Sequence, residues 1–203
     1  MKKLESSLVN MAVVLTIIAI VAGGALAYVN NVTTPQIKKI NEENLAQGIK
    51  DVMGATDIVV ASPVEANGFT CYAVTDANGI PLGSAVTTSQ NAFGGPLKVL
   101  VGFNGEGTIM GYTVLEHAET PGLGAKADTW FQKGQKGDII GKNPGKDVFK
   151  VSKDIEGGID AITASTITSR AFLLAIEKAY QQYFAGCVDA NTGATIHNEN
   201  SKD

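Results

Sequence analysis

Residues Leu8 to Tyr28, LVNMAVVLTIIAIVAGGALAY, run for 21 positions without a charged side chain. Wound as a helix, that length covers about 30 Å, the thickness of the hydrocarbon core of a bilayer. Lys2 and Lys3 precede the run, and the first basic residue after it is Lys38. This bias of positive charge places the N-terminus on the cytoplasmic side and the rest of the chain outside. A competing reading is a cleaved signal peptide, because Ala25-Leu26-Ala27 has the small-x-small form of a cleavage site. The run is longer than an ordinary signal core, so retention as an inner-membrane, single-pass anchor is the expectation.

A chain of 203 residues has room for one globular domain beside such an anchor. Its formal charge of -4 argues against nucleic acid as a partner, since binding a phosphate backbone needs a basic face. Cys71 and Cys187 form no CxxC pair, and His117 and His197 lie in unrelated stretches, so no zinc site is suggested. A Cys71 to Cys187 disulfide is allowed outside the cytoplasm, while Cys71 also reads as a small apolar residue of a strand.

After the anchor, Thr33-Thr34-Pro35 reads as a break and QIKKINEENLAQGIKDVMG as a membrane-proximal helix. Ile37, Ile40, Leu45, Ile49 and Val52 recur there at roughly helical spacing, and Gly54 is a stop. From Asp57 the period changes to two. DIVVA, FTCYAVTD, PLGSAVTTS, LKVLVGF and GTIMGYTVLEH are joined by turns such as Ala77-Asn78-Gly79 and Asn104-Gly105-Glu106-Gly107, and predict an antiparallel sheet. The glycine- and lysine-rich stretch 131–157 reads as solvated hairpins, with an anion site as the alternative. SRAFLLAIEKAYQQYFAG reads as a helix closed by Gly186, with Phe172, Leu173, Ile176, Tyr180, Tyr183 and Phe184 on the face that packs on the sheet. The expected fold is α+β: an antiparallel sheet packed by helices, preceded by one N-terminal transmembrane helix. The expected organisation is an anchor over 1–30, a membrane-proximal helix over 31–56, an extracytoplasmic domain over 57–187 and a polar tail over 188–203.

Five hydroxyls, Thr163, Ser165, Thr166, Thr168 and Ser169, crowd the entrance to that last helix. A helix N-terminus offers unpaired N–H groups and the positive end of a dipole, which favours a phosphate. Serine and threonine are also ordinary N-caps, and threonine suits strand edges. On the residues alone, a phospho-ligand site and a structural cap both stand.

Asp160-Ala161-Ile162-Thr163-Ala164-Ser165-Thr166, followed by Thr168-Ser169, resembles the flavinylation motif of the FMN-binding domain family. The resemblance implies that a flavin transferase reads this stretch, Asp160, Thr163 and Ser165 included, and joins FMN through its phosphate to the hydroxyl of Thr166. Thr168 and Ser169 would donate hydrogen bonds to the phosphoryl oxygens. Ala164-Ser165 stands where the family often shows Gly-Ala. A second echo, Asp189-Ala190-Asn191-Thr192-Gly193-Ala194-Thr195, has Asn191 at the aliphatic position and no helix after it.

HAETPGLGAK, His117 to Lys126, resembles the HxETPGLG signature of the RnfG branch of the same family. Phe93-Gly94-Gly95-Pro96 and Trp130-Phe131 resemble that branch as well. The resemblance makes Glu119, Thr120, Gly122, Leu123 and Gly124 neighbours of the isoalloxazine ring. Read without it, Pro121-Gly122 is a tight turn and Gly124 a point of close backbone approach in a surface loop. His117 reads as a polar neighbour without a catalytic role. The implied protein is an electron carrier with covalent FMN and no catalytic side chain of its own. It would sit among the other membrane and peripheral subunits of a complex that couples electron flow between ferredoxin and NAD to export of sodium ions or protons. The alternatives are an NqrC-type subunit of a sodium-pumping NADH:quinone reductase, or a flavin-free anchored structural module in which the hydroxyls are caps.

Overall fold

The computed structural model describes residues 8–66 and 68–184. Cys187 and the 189–195 stretch, with the disulfide and the second threonine they would supply, lie outside the described residues, as does Gly186. The chain divides into two compact units between Asn44 and Leu45.

The first element, α1, spans Leu8–Met53. Its apolar part is long and apolar enough to cross a membrane, with a mean hydropathy of 2.5 and no burial against the protein. The break expected at Thr33-Thr34-Pro35 does not occur, and Pro35 lies inside the helix. An interior proline forfeits only one backbone bond, and threonine hydroxyls near it offer the carbonyls a substitute donor. Thr34 Oγ1 donates to the carbonyl of Asn30 at 2.6 Å, one residue before the Asn31 carbonyl that Pro35 leaves without its helical donor.

Leu45 onward belongs with the sheet. Six antiparallel strands follow: β1 (Ile58–Val60), β2 (Val64–Ala66), β3 (Phe69–Asp76), β4 (Pro81–Asn91), β5 (Pro96–Asn104) and β6 (Ile109–Glu116). Their order is β1-β3-β4-β5-β6, with β2 also paired to β3. Each run of period two became a strand; β2 is the one that sequence reading did not separate. The β3–β4 turn rests on Asp76, whose Oδ1 accepts from the amides of Asn78 (2.9 Å) and Ile80 (2.7 Å). These bonds, that from Ile80 foremost, hold the Asp76 carboxyl below its ordinary pKa.

Both faces of the sheet are covered, which is why β4 is buried continuously from Gly83 to Thr88 instead of alternating. On one face Ile49, Val52 and Met53 from the end of α1 pack on Val74, Ala85 and Leu100. The carbonyl of Val52 nests over Gly102 and Gly111, partners across β5 and β6, where a Cβ would come within 2.7 and 2.8 Å of it. On the other face lies the larger core, in which the long helix α3 (Thr166–Gln182) sets Phe172, Leu173, Ile176 and Ala179 against Val86, Val99, Val101 and Phe103. Phe172 stacks on Phe131 at 4.3 Å and meets the edge of Tyr112 at 4.9 Å. Burial of a phenylalanine at such a position stabilises the fold by about 1.5–3 kcal/mol. The phenol of Tyr112 donates to the carbonyl of Ala127 at 2.7 Å, and burial raises its pKa. Of the expected helix face, Tyr183 is buried, whereas Tyr180 is only partly so and Phe184 is exposed. The small residues Ala175 and Ala179 take the inner positions instead.

The stretch 131–157 is not a pair of hairpins. It runs as successive turns that send Phe131, Ile139, Phe149 and Val151 into the core, with a single parallel bridge from Val151 to Ile159 among the described residues. Side chains take the amides that a ladder would have used: Asp138 accepts from Gly134 (2.6 Å) and Ile140 (2.8 Å), and Asp147 accepts from Asn143 (2.7 Å). Backbone bonds of Ile109 with Gly141 and Lys142 tie the start of β6 to this stretch. A 3-10 turn (Gly124–Lys126) and a four-residue helix, α2 (Ala127–Trp130), complete the chain's path between β6 and this stretch.

Candidate functional site

The hydroxyl cluster sits where the turn after Ile162 enters α3. Ile162 is a buried plug, and the first turn is held to it by Ser169, whose Oγ accepts from the amide of Ile162 (2.9 Å) and donates to the carbonyl of Ser165 (3.0 Å). Ser165 is the N-cap residue, yet its hydroxyl makes no cap bond; it donates to Thr168 Oγ1 at 3.0 Å. The simple capping reading therefore does not describe the cluster. The first amides of any α-helix lack an acceptor within the helix, and here the N-cap side chain leaves them without one. Ala164 sits at φ 61°, the one non-glycine residue in the left-handed region among the described residues. That is the position where the motif departs from the family's usual glycine.

A buried carboxylate organises the cluster. Glu119, 7% exposed, accepts from the amide of Gly94 through Oε1 (2.8 Å) and from the hydroxyl of Thr168 through Oε2 (2.8 Å). Ser165, Thr168 and Glu119 thus form a directed chain of donors ending on a charge, the arrangement that makes a buried ion tolerable. Gly124 fits against the same carboxylate, where a Cβ would come 2.1 Å from Oε2 and 2.9 Å from Thr168 Oγ1. One side chain so joins the loop before β5, the loop after β6 and the start of α3. The amide of Glu119 donates to His117 Nδ1 at 3.2 Å, and His117 Nε2 lies 3.7 Å from Asp128, so His117 supports the loop from outside the cleft.

Between these three segments opens a cleft of about 420 Å³ lined by Phe93, Glu119, Thr120, Leu123, Gly124 and residues 164–168. Phe93, Leu123 and Ile167 present exposed apolar side chains to it. Thr166, the first residue of α3, is half-buried in its wall, and Lys153 Nζ donates to Thr166 Oγ1 at 3.3 Å. Sequence reading missed Lys153, which looks like any other lysine of the lysine-rich stretch. Phe93 was visible only through its Phe-Gly-Gly-Pro setting, and Ala164 and Ile167 only as spacers.

The structure brings together Thr166, Ser165, Thr168, Glu119, Thr120, Leu123 and Gly124, and leaves the other expected site residues outside the cleft lining. Ser169 is buried and spent on the turn. Asp160 is exposed; its carbonyl accepts from Trp130 Nε1 (2.8 Å) and its carboxylate from Ser152 (2.9 Å). Thr163 is exposed. Gly122 forms the turn at φ 78°.

FMN suits this cleft. The volume falls within the range of small-molecule sites, apolar side chains stand around a few convergent polar groups, and the helix start offers amides, a hydroxyl and an ammonium to a phosphoryl group. Residues 93–181, which hold this cleft, match the FMN-binding domain family. Over 183 residues the chain is 30% identical to the G subunit of the ion-translocating oxidoreductase complex of Vibrio cholerae serotype O1, covering 83% of this chain and 86% of that one. It is 31% identical over 183 residues to the protein of the same name from Methanosarcina acetivorans, covering 86% and 94%. Against the G subunit of the Na(+)-translocating ferredoxin:NAD(+) oxidoreductase complex of Acetobacterium woodii it is 29% identical over 195 residues, covering 86% and 90%. A looser likeness in fold is to Shewanella oneidensis NqrC, at 22% identity and a TM-score of 0.46 over 66% of this chain and 70% of that one. The chain belongs to the G-subunit family of ion-translocating oxidoreductase complexes.

Proposed function

We propose that this chain is the electron-carrying member of such a complex, with FMN esterified through its phosphate to Thr166 and its ring in the cleft beside Phe93 and Leu123. The observation that carries the reading is the half-buried hydroxyl of Thr166 at the uncapped start of α3, opening on the cleft and approached by Lys153. When bound, FMN would supply the redox chemistry. The chain's own residues would do the rest. The amides at the start of α3 and Lys153 would hold the phosphoryl charge. Glu119, through Gly94 and Thr168, keeps the walls of the cleft in place. Phe93, Leu123 and Ile167 would shield the ring from water.

The finer assignments follow from the relatives and the sequence. The domain would lie on the outer side of the membrane, anchored by α1, with the N-terminal lysines inside. A flavin transferase would load Thr166. The complex, with its other membrane and peripheral subunits, would couple ferredoxin:NAD electron transfer to movement of an ion, as the name of the Acetobacterium woodii relative states for that protein. Covalent attachment suits an extracytoplasmic carrier, because a lost cofactor could not be replaced there.

The test is co-expression of the full chain with a flavin transferase, followed by in-gel flavin fluorescence after denaturation, beside Thr166→Ala and Thr195→Ala variants. The proposal expects fluorescence that survives denaturation and disappears only in Thr166→Ala. Fluorescence in no lane, with a control substrate loaded in parallel, would overturn the covalent reading; loss only in Thr195→Ala would move the attachment to the C-terminal stretch.

A further inference from the structure

Lys153 is placed oddly for a lysine. Its ammonium lies at the N-terminal end of a 17-residue helix, the end that carries the positive pole of the dipole and favours anions. No carboxylate pairs with it among the described residues, as for every described lysine but Lys39; what sets Lys153 apart is its place on the first residue of α3.

Three carboxylates of the region, Asp154, Asp160 and Glu119, have other partners. Asp154, the next residue, is held in a two-point pair by Arg170 (2.7 Å from Nε), which keeps its carboxyl below the ordinary range. Asp160 accepts from Ser152 (2.9 Å). Glu119, the carboxylate in the cleft wall, is occupied by Gly94 and Thr168. Lys153 itself meets the neutral hydroxyl of Thr166 at 3.3 Å, a weak partner for a full charge. A cation and the positive pole of a helix therefore meet on one hydroxyl oxygen with no negative charge between them.

We infer that Lys153 is the positioning residue for the phosphoryl group carried on Thr166, a counter-ion whose partner is the cofactor's phosphodiester and not a side chain of this chain. The inference rests on the reading that Thr166 is flavinylated. Before loading, the ammonium contributes little to the fold, because it faces a neutral group at the wrong end of a dipole. After loading, it and the amides of the first turn share one anionic charge, and hydrogen bonds to such a charge are roughly twice as strong as neutral ones. The contribution of Lys153 to stability is thus conditional on loading, which a merely structural lysine would not show.

The experiment is a thermal-unfolding comparison of the full chain in detergent, prepared both without and with a flavin transferase, for the wild type, Lys153→Gln and Lys153→Arg. Extent of loading is read by in-gel fluorescence, and only fully loaded fractions are compared with unloaded ones. Unloaded wild type and Lys153→Gln are expected to melt within about 1 °C of each other, while the gain on loading falls by about 3 °C in Lys153→Gln and is largely kept in Lys153→Arg. An equal gain on loading in wild type and Lys153→Gln would overturn the inference while leaving flavinylation intact. So would a loss in Lys153→Gln of the same size in both unloaded and loaded chains, which would make Lys153 structural. Failure of the wild type itself to load would instead remove the reading on which the inference stands.

Discussion

Gly124 offers the sharpest test of the cleft's construction. A Cβ at this position would come 2.1 Å from Oε2 and 2.8 Å from Cδ of Glu119, and 2.9 Å from Thr168 Oγ1. Real Cβ atoms do not tolerate such distances, so in Gly124→Ala the carboxylate must move by more than about 1 Å, beyond what its bond to Thr168 can follow. A hydrogen bond to a charged group contributes about 1.5–3 kcal/mol, and Glu119 is too buried for water to replace the lost donor freely. We expect a destabilisation of about 3 kcal/mol, roughly a hundredfold in the folded-to-unfolded ratio and about 6–12 °C in melting temperature. The assay is denaturant unfolding of the detergent-solubilised chain, followed by the fluorescence of Trp130, the single tryptophan. Gly122→Ala is the internal standard. At φ 78° with nothing within 4 Å, it should lose only the left-handed strain of about 1–2 kcal/mol. In a Glu119→Ala background the cost of Gly124→Ala should shrink, since the clashing group is gone. A Gly124→Ala protein within about 0.5 kcal/mol of wild type, or a cost unchanged by Glu119→Ala, would refute the reasoning.

Two further outcomes follow from the same region. Ala164→Gly should stabilise the chain by about 0.5–1 kcal/mol, because relief of the left-handed strain at φ 61° exceeds the added entropy of an unfolded glycine; a net loss in denaturant unfolding would contradict this. The Asp154 carboxyl is held below its ordinary value of 3.8 by Arg170, so the pair's contribution is complete above that value and is lost as pH falls through the lower folded midpoint. In Arg170→Gln the Asp154 midpoint, followed by carboxyl NMR, should rise toward the ordinary value, and the difference in melting temperature from wild type should close only below pH ~4. A midpoint that does not move would show that the pair is not what lowers it.

Much of the sheet was legible because alternation and turn residues are local signals. DIVVA, FTCYAVTD and GTIMGYTVLEH each contain the strand that formed, while PLGSAVTTS and LKVLVGF fall one or two residues short of β4 and β5. The stretch 131–157 was not legible. Its apolar residues enter the core singly from turns, so neither period appears, and the side chains of Asp138 and Asp147 do the work of a backbone ladder. Pro35 reads as a break in the sequence, yet α1 continues through it, with the helix formers Gln36, Lys38 and Lys39 directly beyond. At the site, the hydroxyl cluster and Glu119 stood out as residue types in a pattern. Lys153 did not, and Gly94 was visible only as part of Phe93-Gly94-Gly95-Pro96, since their contacts to Thr166 and Glu119 are long-range and no spacing encodes them.

The clamp of Glu119 on Gly94 and Thr168 has a bearing on portability. On the reading proposed above, in which Thr166 carries the flavin, a peptide tag made of residues 160–169 would take that hydroxyl to a new host. It would travel without Phe93, Leu123, Gly124, Glu119 or Lys153, which reach the helix start only through the fold. A flavin grafted in that way would hang in water on a flexible stalk, and its potential and reactivity would be those of the free dye. The enclosure around Thr166 is built from three separate stretches of the chain, and it cannot be cut out of the sequence as a segment.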